Sequence, residues 1–315
     1  IQNVLELWEI SQLLLPVRPY LIKAIVENFI DQQAENGLID TQITWNENLT
    51  GIPAAPILAS IAAELHPYLN DEEWLSSVYP ALMDSLKVWF KPEYDSDEDG
   101  FPEWQHLVQT GISELVKVNP EIRNKLEILI NSAEWLSLAC LLWNECKSLT
   151  AIARWIKKDL DLDWLTTQAD RLQSLINTCL ENNKKICCFR DKTTHLSSKG
   201  KILHTFHQNG SKTLDKSLKE PERIFVQVAS KDGFVRPVAW QISSQDVKKE
   251  IQTSLTCKDF HWHEEQGITV TNTLFSSVKE ITISGLKKGD TAVVGTPDFT
   301  IHDPLTMFRR LLSLC

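Results

Sequence analysis

Ala133-Glu134-Trp135-Leu136-Ser137-Leu138-Ala139-Cys140-Leu141-Leu142-Trp143-Asn144-Glu145 opens a helical stretch that runs to Lys157, and it is the segment that decides the fold. It is apolar on nearly every face until Asn144 and Glu145 interrupt it. A helix that is apolar all round is covered on all sides by other elements. The stretch therefore predicts a central helix ringed by others. A carboxylate on its seam, Glu145, shares a face with Trp135, Leu138, Leu142, Leu149 and Ile152. A carboxylate so placed must be paired or must open onto a polar funnel. Two readings stay open for it, a structural ion pair and a contact to ligand.

Outward from this segment, residues 1 to about 181 read as helices. Val4, Leu5, Trp8 and Leu15 precede Pro16, and Tyr20, Ala24, Ile25 and Phe29 follow it at helical spacing. Another run starts after Pro56 and is expected to stop near His66-Pro67. Asn70-Asp71-Glu72-Glu73 has the pattern of a capping box with Asn70 as the cap. Leu75, Val78, Leu82, Leu86 and Trp89 then recur in three- and four-residue steps, with Pro80 among them. A last amphipathic helix covers Trp164 to Leu180. No fixed period marks a helical repeat array.

After Asn183 the character changes. Runs such as Ile224–Val228, Val235–Ile242, Ile268–Leu274, Ile281–Ile283 and Thr291–Val294 alternate and are rich in β-branched residues. Lys231-Asp232-Gly233, Gln266-Gly267 and Lys288-Gly289-Asp290 read as the turns between them. The fold class is thus α+β. Helical hairpins occupy 1–189, a polar Lys/Ser-rich linker or long loop occupies 190–221, and a β-sandwich-like segment occupies 222–300. Residues 301–315 read as the start of a further, truncated segment, so the chain is expected to be a piece of a longer protein.

The 315 residues carry a formal net charge of −10. That balance argues against nucleic acid or an anionic membrane as the main partner, since both select clustered Lys and Arg. No run of about 18 apolar residues is present, so no membrane span is expected. Seven cysteines, an odd number without framework spacing, read as reduced thiols of a cytoplasmic protein. Eleven tryptophans are compatible with sugar-stacking platforms and equally with a tryptophan-rich core.

The most distinctive motif is Tyr94-Asp95-Ser96-Asp97-Glu98-Asp99-Gly100-Phe101-Pro102-Glu103-Trp104-Gln105-His106. Aspartates at alternate positions followed by glycine suit a calcium loop, because the carboxylates converge on one hard cation while glycine allows the turn. The twelfth position from Asp95 is His106 rather than a bidentate glutamate, which excludes an ordinary EF-hand. The expected calcium ligands are Asp95, Asp97, Asp99 and Glu103; the competing reading is a solvated acidic turn. His261 and His263 share a strand face, yet no third ligand for zinc is evident.

The order of Gly51–Pro56, Trp74-Leu75, Val78–Leu82, Trp89-Phe90, the Asp95–Trp104 motif and Glu134-Trp135 resembles that of the six-hairpin glycosidases. Within them it is most similar to the mannosylglycerate-hydrolase and amylo-α-1,6-glucosidase types. The resemblance covers about residues 15 to 190, and the β segment resembles an accessory piece attached to some members. It implies a partial (α/α)6 toroid of helical hairpins whose central funnel binds a terminal sugar of an α-linked glucoside or mannoside. It further implies hydrolysis with inversion, one carboxylic acid protonating the leaving oxygen and an opposed carboxylate activating water about 6.5–9.5 Å away. The family's acid follows the glycine after the Pro-Glu loop. Here that region reads Gln109-Thr110-Gly111-Ile112-Ser113-Glu114. Ser113 aligns with the acid, and its neighbour Glu114 is the candidate. The late segment that supplies the general base is not found in the sequence. Trp45 and Trp104 are candidate stacking platforms, with His106 and Glu145 as further substrate contacts; packing is the competing role for each. A non-catalytic carbohydrate-binding or scaffold remnant is the alternative, favoured by Ser113.

Overall fold

The computed structural model describes residues 2–43, 51–111, 120–182, 188–245, 250–263 and 265–301. These form two compact units. One comprises residues up to 111 together with 134–188; the other comprises 120–133 with 189–301. The architecture is mixed α and β, with helices in the first unit and antiparallel sheets in the second.

The first unit is built from α1 (Val4–Leu14), α2 (Pro19–Asp31), α3 (Leu58–Leu69) and α4 (Glu72–Trp89), and then, beyond α5, from α6 (Leu136–Trp155) and α7 (Leu162–Asn182). α5 (Pro120–Ile130) belongs to the second unit. α6 is the centre: every residue from Leu136 to Leu142 is buried, and it packs against α3, α4 and α7. The all-apolar reading of 133–157 is thereby explained by a helix with neighbours on several sides. Among the described residues no helix is long and apolar enough to cross a membrane.

Helix ends depart from expectation by a few residues, the central helix starting at Leu136 rather than Ala133. α3 continues through Pro67 to Leu69. Proline removes only its own N–H, and the last turn is still closed by the Asn70 N–H donating to the His66 carbonyl at 2.8 Å. Asn70 has φ 49° and so ends α3 in the left-handed conformation that asparagine tolerates. The N-cap of α4 is accordingly Asp71, not Asn70, and its carboxylate accepts the Trp74 N–H at 2.9 Å. Lys23 also donates to Asp71, at 2.8 Å, and with the Trp74 N–H it holds this carboxyl below its ordinary range.

The second unit is a sandwich of two antiparallel sheets. Its strands are β1 (Lys201–Phe206), β2 (Gly210–Glu222), β3 (Phe225–Ala229), β4 (Ala239–Gln245), β5 (Glu250–Thr256), β6 (His261–His263), β7 (Gln266–Val270), β8 (Phe275–Ser284) and β9 (Thr291–Thr296). One sheet has the order β6-β7-β3-β9-β1 and the other β2-β8-β4-β5. Val226, Val228, Trp240, Ile242, Val278, Ile281, Ala292 and Val294 fill the space between them, each at two-residue spacing or its bulged equivalent.

The expected linker at 190–221 is instead part of this sandwich, since β1 and β2 lie within it. β2 is an edge strand paired only to β8 within its sheet, and its exposed residues include Lys212, Lys216 and Lys219. Charged edges of this kind protect a sheet from pairing with other chains. Register shifts in its pairing with β8 break the two-residue alternation, so Leu214 and Leu218, which pack on the core, stand four residues apart. Gln266-Gly267 is likewise a strand position and not a turn. Gly267 pairs with Trp262, and a Cβ there would come within 2.7 Å of the indole. Glycine is present because the ring lies across the backbone.

Two buried guanidinium groups tie the loops of the sandwich. Arg223 donates through Nε to Asp191 at 2.7 Å, through Nη1 to the Asn272 carbonyl at 2.7 Å and through Nη2 to Thr193 at 2.6 Å. Arg236 forms a two-point pair with Asp290 at 2.6 and 3.0 Å. The Arg236 guanidinium, helped by the Lys231 and Lys287 N–H groups, holds the Asp290 carboxyl far below the usual range.

Candidate functional site

The acidic motif forms a closed loop directly after α4. Glu103 N–H donates to the Tyr94 carbonyl at 2.7 Å, pinning the two ends together. Inside it, Glu98 (φ 57°) and Gly100 (φ 84°) adopt the left-handed conformation. At Gly100 a Cβ would also meet the Arg171 guanidinium at 1.8 Å, so this glycine is required by backbone and by neighbour. Asp99 accepts the Phe101 N–H at 2.7 Å, and Asp95 Oδ2 accepts the Gly100 N–H at 2.9 Å.

The four carboxylates read from the sequence do not act as one group. Asp95 is buried, with Oδ2 spent on the loop and Oδ1 lacking a hydrogen-bond partner. Burial raises its carboxyl above the ordinary value, against the opposing Gly100 N–H. Glu103 is 3% exposed and accepts from Ser96, through the backbone N–H at 3.2 Å and the hydroxyl at 3.0 Å. Both carboxylates shape the loop. Asp97 and Asp99 instead come together with Glu134, their oxygens within 4.8 Å of one another. Cation–oxygen distances of about 2.3–2.6 Å place ligand oxygens at this kind of separation, so the trio fits a hard divalent cation.

Glu134 is not among the ligands expected from the sequence, although it carries a signal there. It stands immediately before the all-apolar helix, is 2% exposed, and precedes the fully buried N-cap residue Trp135. A carboxylate in that position needs a polar partner.

Glu145 is a helix cap. Its two oxygens accept the Ala59 N–H at 2.9 Å and the Ser60 N–H at 2.7 Å, with a further short hydrogen bond from the Ser60 hydroxyl. These are free donors of the first turn of α3, whose own N-cap residue, Ile57, has no side-chain acceptor to offer. Among the described residues no ion pair to Glu145 is present, so the expected structural pair is replaced by backbone capping from a distant helix. Burial pushes its carboxyl up to about 7, and the Ser60 and Ala59 hydrogen bonds pull the other way. The crevice beside it, bounded by Pro56, Leu82 and Leu86, has room for about one water.

Trp104 is 1% exposed and meets Trp89 edge-on at 5.4 Å between ring centres, so its faces are taken up by the core. His106 is exposed, and its Nδ1 accepts the Val108 N–H at 3.1 Å, capping the short 3-10 turn Leu107–Thr110. Trp45, Ser113 and Glu114 lie outside the described residues. Among the described residues, Cys140, Cys146, Cys188 and Cys257 form no disulfide.

No family model matches the sequence, and no curated protein matches it. Among solved structures, the chain is similar to the GH63 mannosylglycerate hydrolase from Thermus thermophilus in complex with glucose. That likeness has a TM-score of 0.47 and 12% identity, covering 62% of this chain and 60% of the other. The same hydrolase in complex with Tris gives a TM-score of 0.48, 11% identity and 62% of each chain. An uncharacterized conserved protein from the same organism gives 0.42 and 11%, over 60% of this chain and 59% of its own. The chain thus spans less than two thirds of the length of these proteins.

Proposed function

We propose that this chain is part of a six-hairpin glycoside hydrolase of the cytoplasm. Its helices belong to an α/α toroid, and it acts on the terminal sugar of an α-linked glucoside or mannoside. The observation supporting this reading is the meeting of Glu134 with Asp97 and Asp99. Two motifs whose order along the chain resembles that family come together in space, though Glu134 lies 35 positions after Asp99 in the sequence. Glu114 is the general acid that protonates the leaving oxygen, while an opposed carboxylate activates the water whose attack inverts the anomeric centre.

The test is a screen of the intact protein against aryl-glycosides and α-linked disaccharides, with the product anomer read by NMR. Inverted product is expected, and Glu114→Gln should lower turnover by about 10²–10⁴-fold. Retained configuration, or turnover unchanged in the variant, removes this assignment. The alternative, a non-catalytic carbohydrate-binding or scaffold remnant, is supported by serine at position 113, and it requires that no substrate in the screen be turned over.

In the same reading Asp97, Asp99 and Glu134 hold calcium, which would tie the acidic loop to the start of α6. Calcium at about a hundred times its dissociation constant should stabilise the fold by about 2.7 kcal/mol. Chelation is therefore expected to lower the melting temperature, and the double variant Asp97→Asn, Glu134→Gln should remove that dependence. A melting temperature indifferent to both calcium and chelator would leave the loop as a solvated acidic turn.

A further inference from the structure

The sandwich unit contains a cavity that the hydrolase reading does not use. α5 lies on β7 of the five-stranded sheet and packs Ile128 against Phe225 and Ile268. Beside this contact the lining residues bound a half-open pocket of about 370 Å³. That volume falls in the range of small-ligand sites, about 300–1,000 Å³.

The walls are of two kinds. Phe225, Ile128 and Val293 are apolar. The position of Phe225 is built in: Gly295 pairs with it across β9 and β3, and a Cβ on Gly295 would come within 2.7 Å of the ring. Only glycine lets the ring lie across that strand. The polar wall contains Asn124 and Gln227, whose amides both donate to the Gln266 side-chain oxygen, the second at 3.1 Å. Asn124 is 8% exposed. These bonds fix the orientation of both amides, each of which retains a carbonyl acceptor and a second N–H. The charged lining residues are of mixed sign, Lys125 and Lys201 with Asp298.

We infer that this cavity is a second binding site, for a small neutral polyhydroxylated ligand of the mono- or disaccharide class. Hydroxyls donate and accept at once, which suits fixed amides beside a lysine and a carboxylate. The carbon face of a sugar ring suits the Phe225 and Val293 wall. Mixed charges give no strong selection for a phosphate or for an ammonium group. All these residues belong to the sandwich unit, whereas the acidic loop belongs to the helical unit.

The experiment is saturation-transfer NMR and titration calorimetry on the intact chain with maltose, trehalose and methyl α-mannoside. At least one of these should bind. Gln227→Ala should weaken that binding by tenfold or more, and Lys201→Ala, at an exposed position, should weaken it several-fold. Glu134→Gln should leave it unchanged, and turnover of any substrate found in the screen should be the same in Gln227→Ala as in wild type. The inference is overturned if none of the three sugars binds. It is equally overturned if Lys201→Ala and a folded Gln227→Ala bind as wild type does, or if binding is lost in Glu134→Gln and kept in Gln227→Ala.

Discussion

Glu145→Ala is expected to destabilise the protein by about 3–5 kcal/mol, because it leaves the Ala59 and Ser60 N–H groups buried without acceptors. Chemical denaturation of the variant measures this directly. A loss under about 1 kcal/mol would mean that the first turn of α3 finds another acceptor. The conservative variant Glu145→Gln isolates the charge. In the folded chain the Glu145 carboxyl titrates at about 7, against 4.5 as its ordinary value. The folded state therefore binds this proton more tightly than the unfolded state does. The resulting stability is fully present below about pH 4.5 and is lost as the pH rises through about 7. At about 1.4 kcal/mol per pH unit the span corresponds to about 3 kcal/mol. Wild type should lose this amount relative to Glu145→Gln between pH 4.5 and 8. Parallel stability curves for the two proteins would show that Glu145 does not titrate in this range.

Asp191→Ala should have an effect of similar size, in the sandwich unit. The Arg223 and Asp191 side chains are 2% and 4% exposed, and the pair lies at 2.7 Å. Removing the carboxylate strands a buried guanidinium, which costs about 3–5 kcal/mol. It also removes the acceptor for the Thr193 and Thr194 N–H groups, at 2.9 and 3.0 Å. The double variant Asp191→Ala, Arg223→Met should recover most of the loss, since the uncompensated charge is then gone. If the double variant is no more stable than the single one, the backbone turn at 191–194 matters more than the charge.

Asp191 also shows where the sequence is opaque. It lies in 190–221, a stretch whose lysines and serines read as a linker, and its partner is 32 residues away. Nothing local announces a buried pair of that separation. β2 is hidden for a related reason: an edge strand needs little apolar surface, and its bulged pairing with β8 removes the two-residue rhythm. The central helix is legible because covering on all sides imposes an apolar composition that few alternatives explain. Most of the expected strands are legible too, since the inward positions of a sandwich must alternate.

The candidate site is legible in part. Asp97 and Asp99, proposed above as calcium ligands, are singled out by their local spacing alone. Asp95 and Glu103 have the right chemistry, yet local donors claim one oxygen of Asp95 and both oxygens of Glu103. Glu134 joins the other two only through tertiary structure. Glu145 carries a strong burial signal of ambiguous meaning, because a capping carboxylate and a ligand-binding carboxylate look alike until the donors are seen. Trp104 reads as a surface for sugar, but at 1% exposure it packs in the core.

The connectivity of the two units has a consequence for how they can be separated. The helix Pro120–Ile130 belongs with the sandwich, whereas the chain then returns to lay down Leu136–Trp155 at the heart of the helical unit. Neither unit is one uninterrupted stretch of polypeptide. A single cut in the coding sequence therefore cannot release either of them whole.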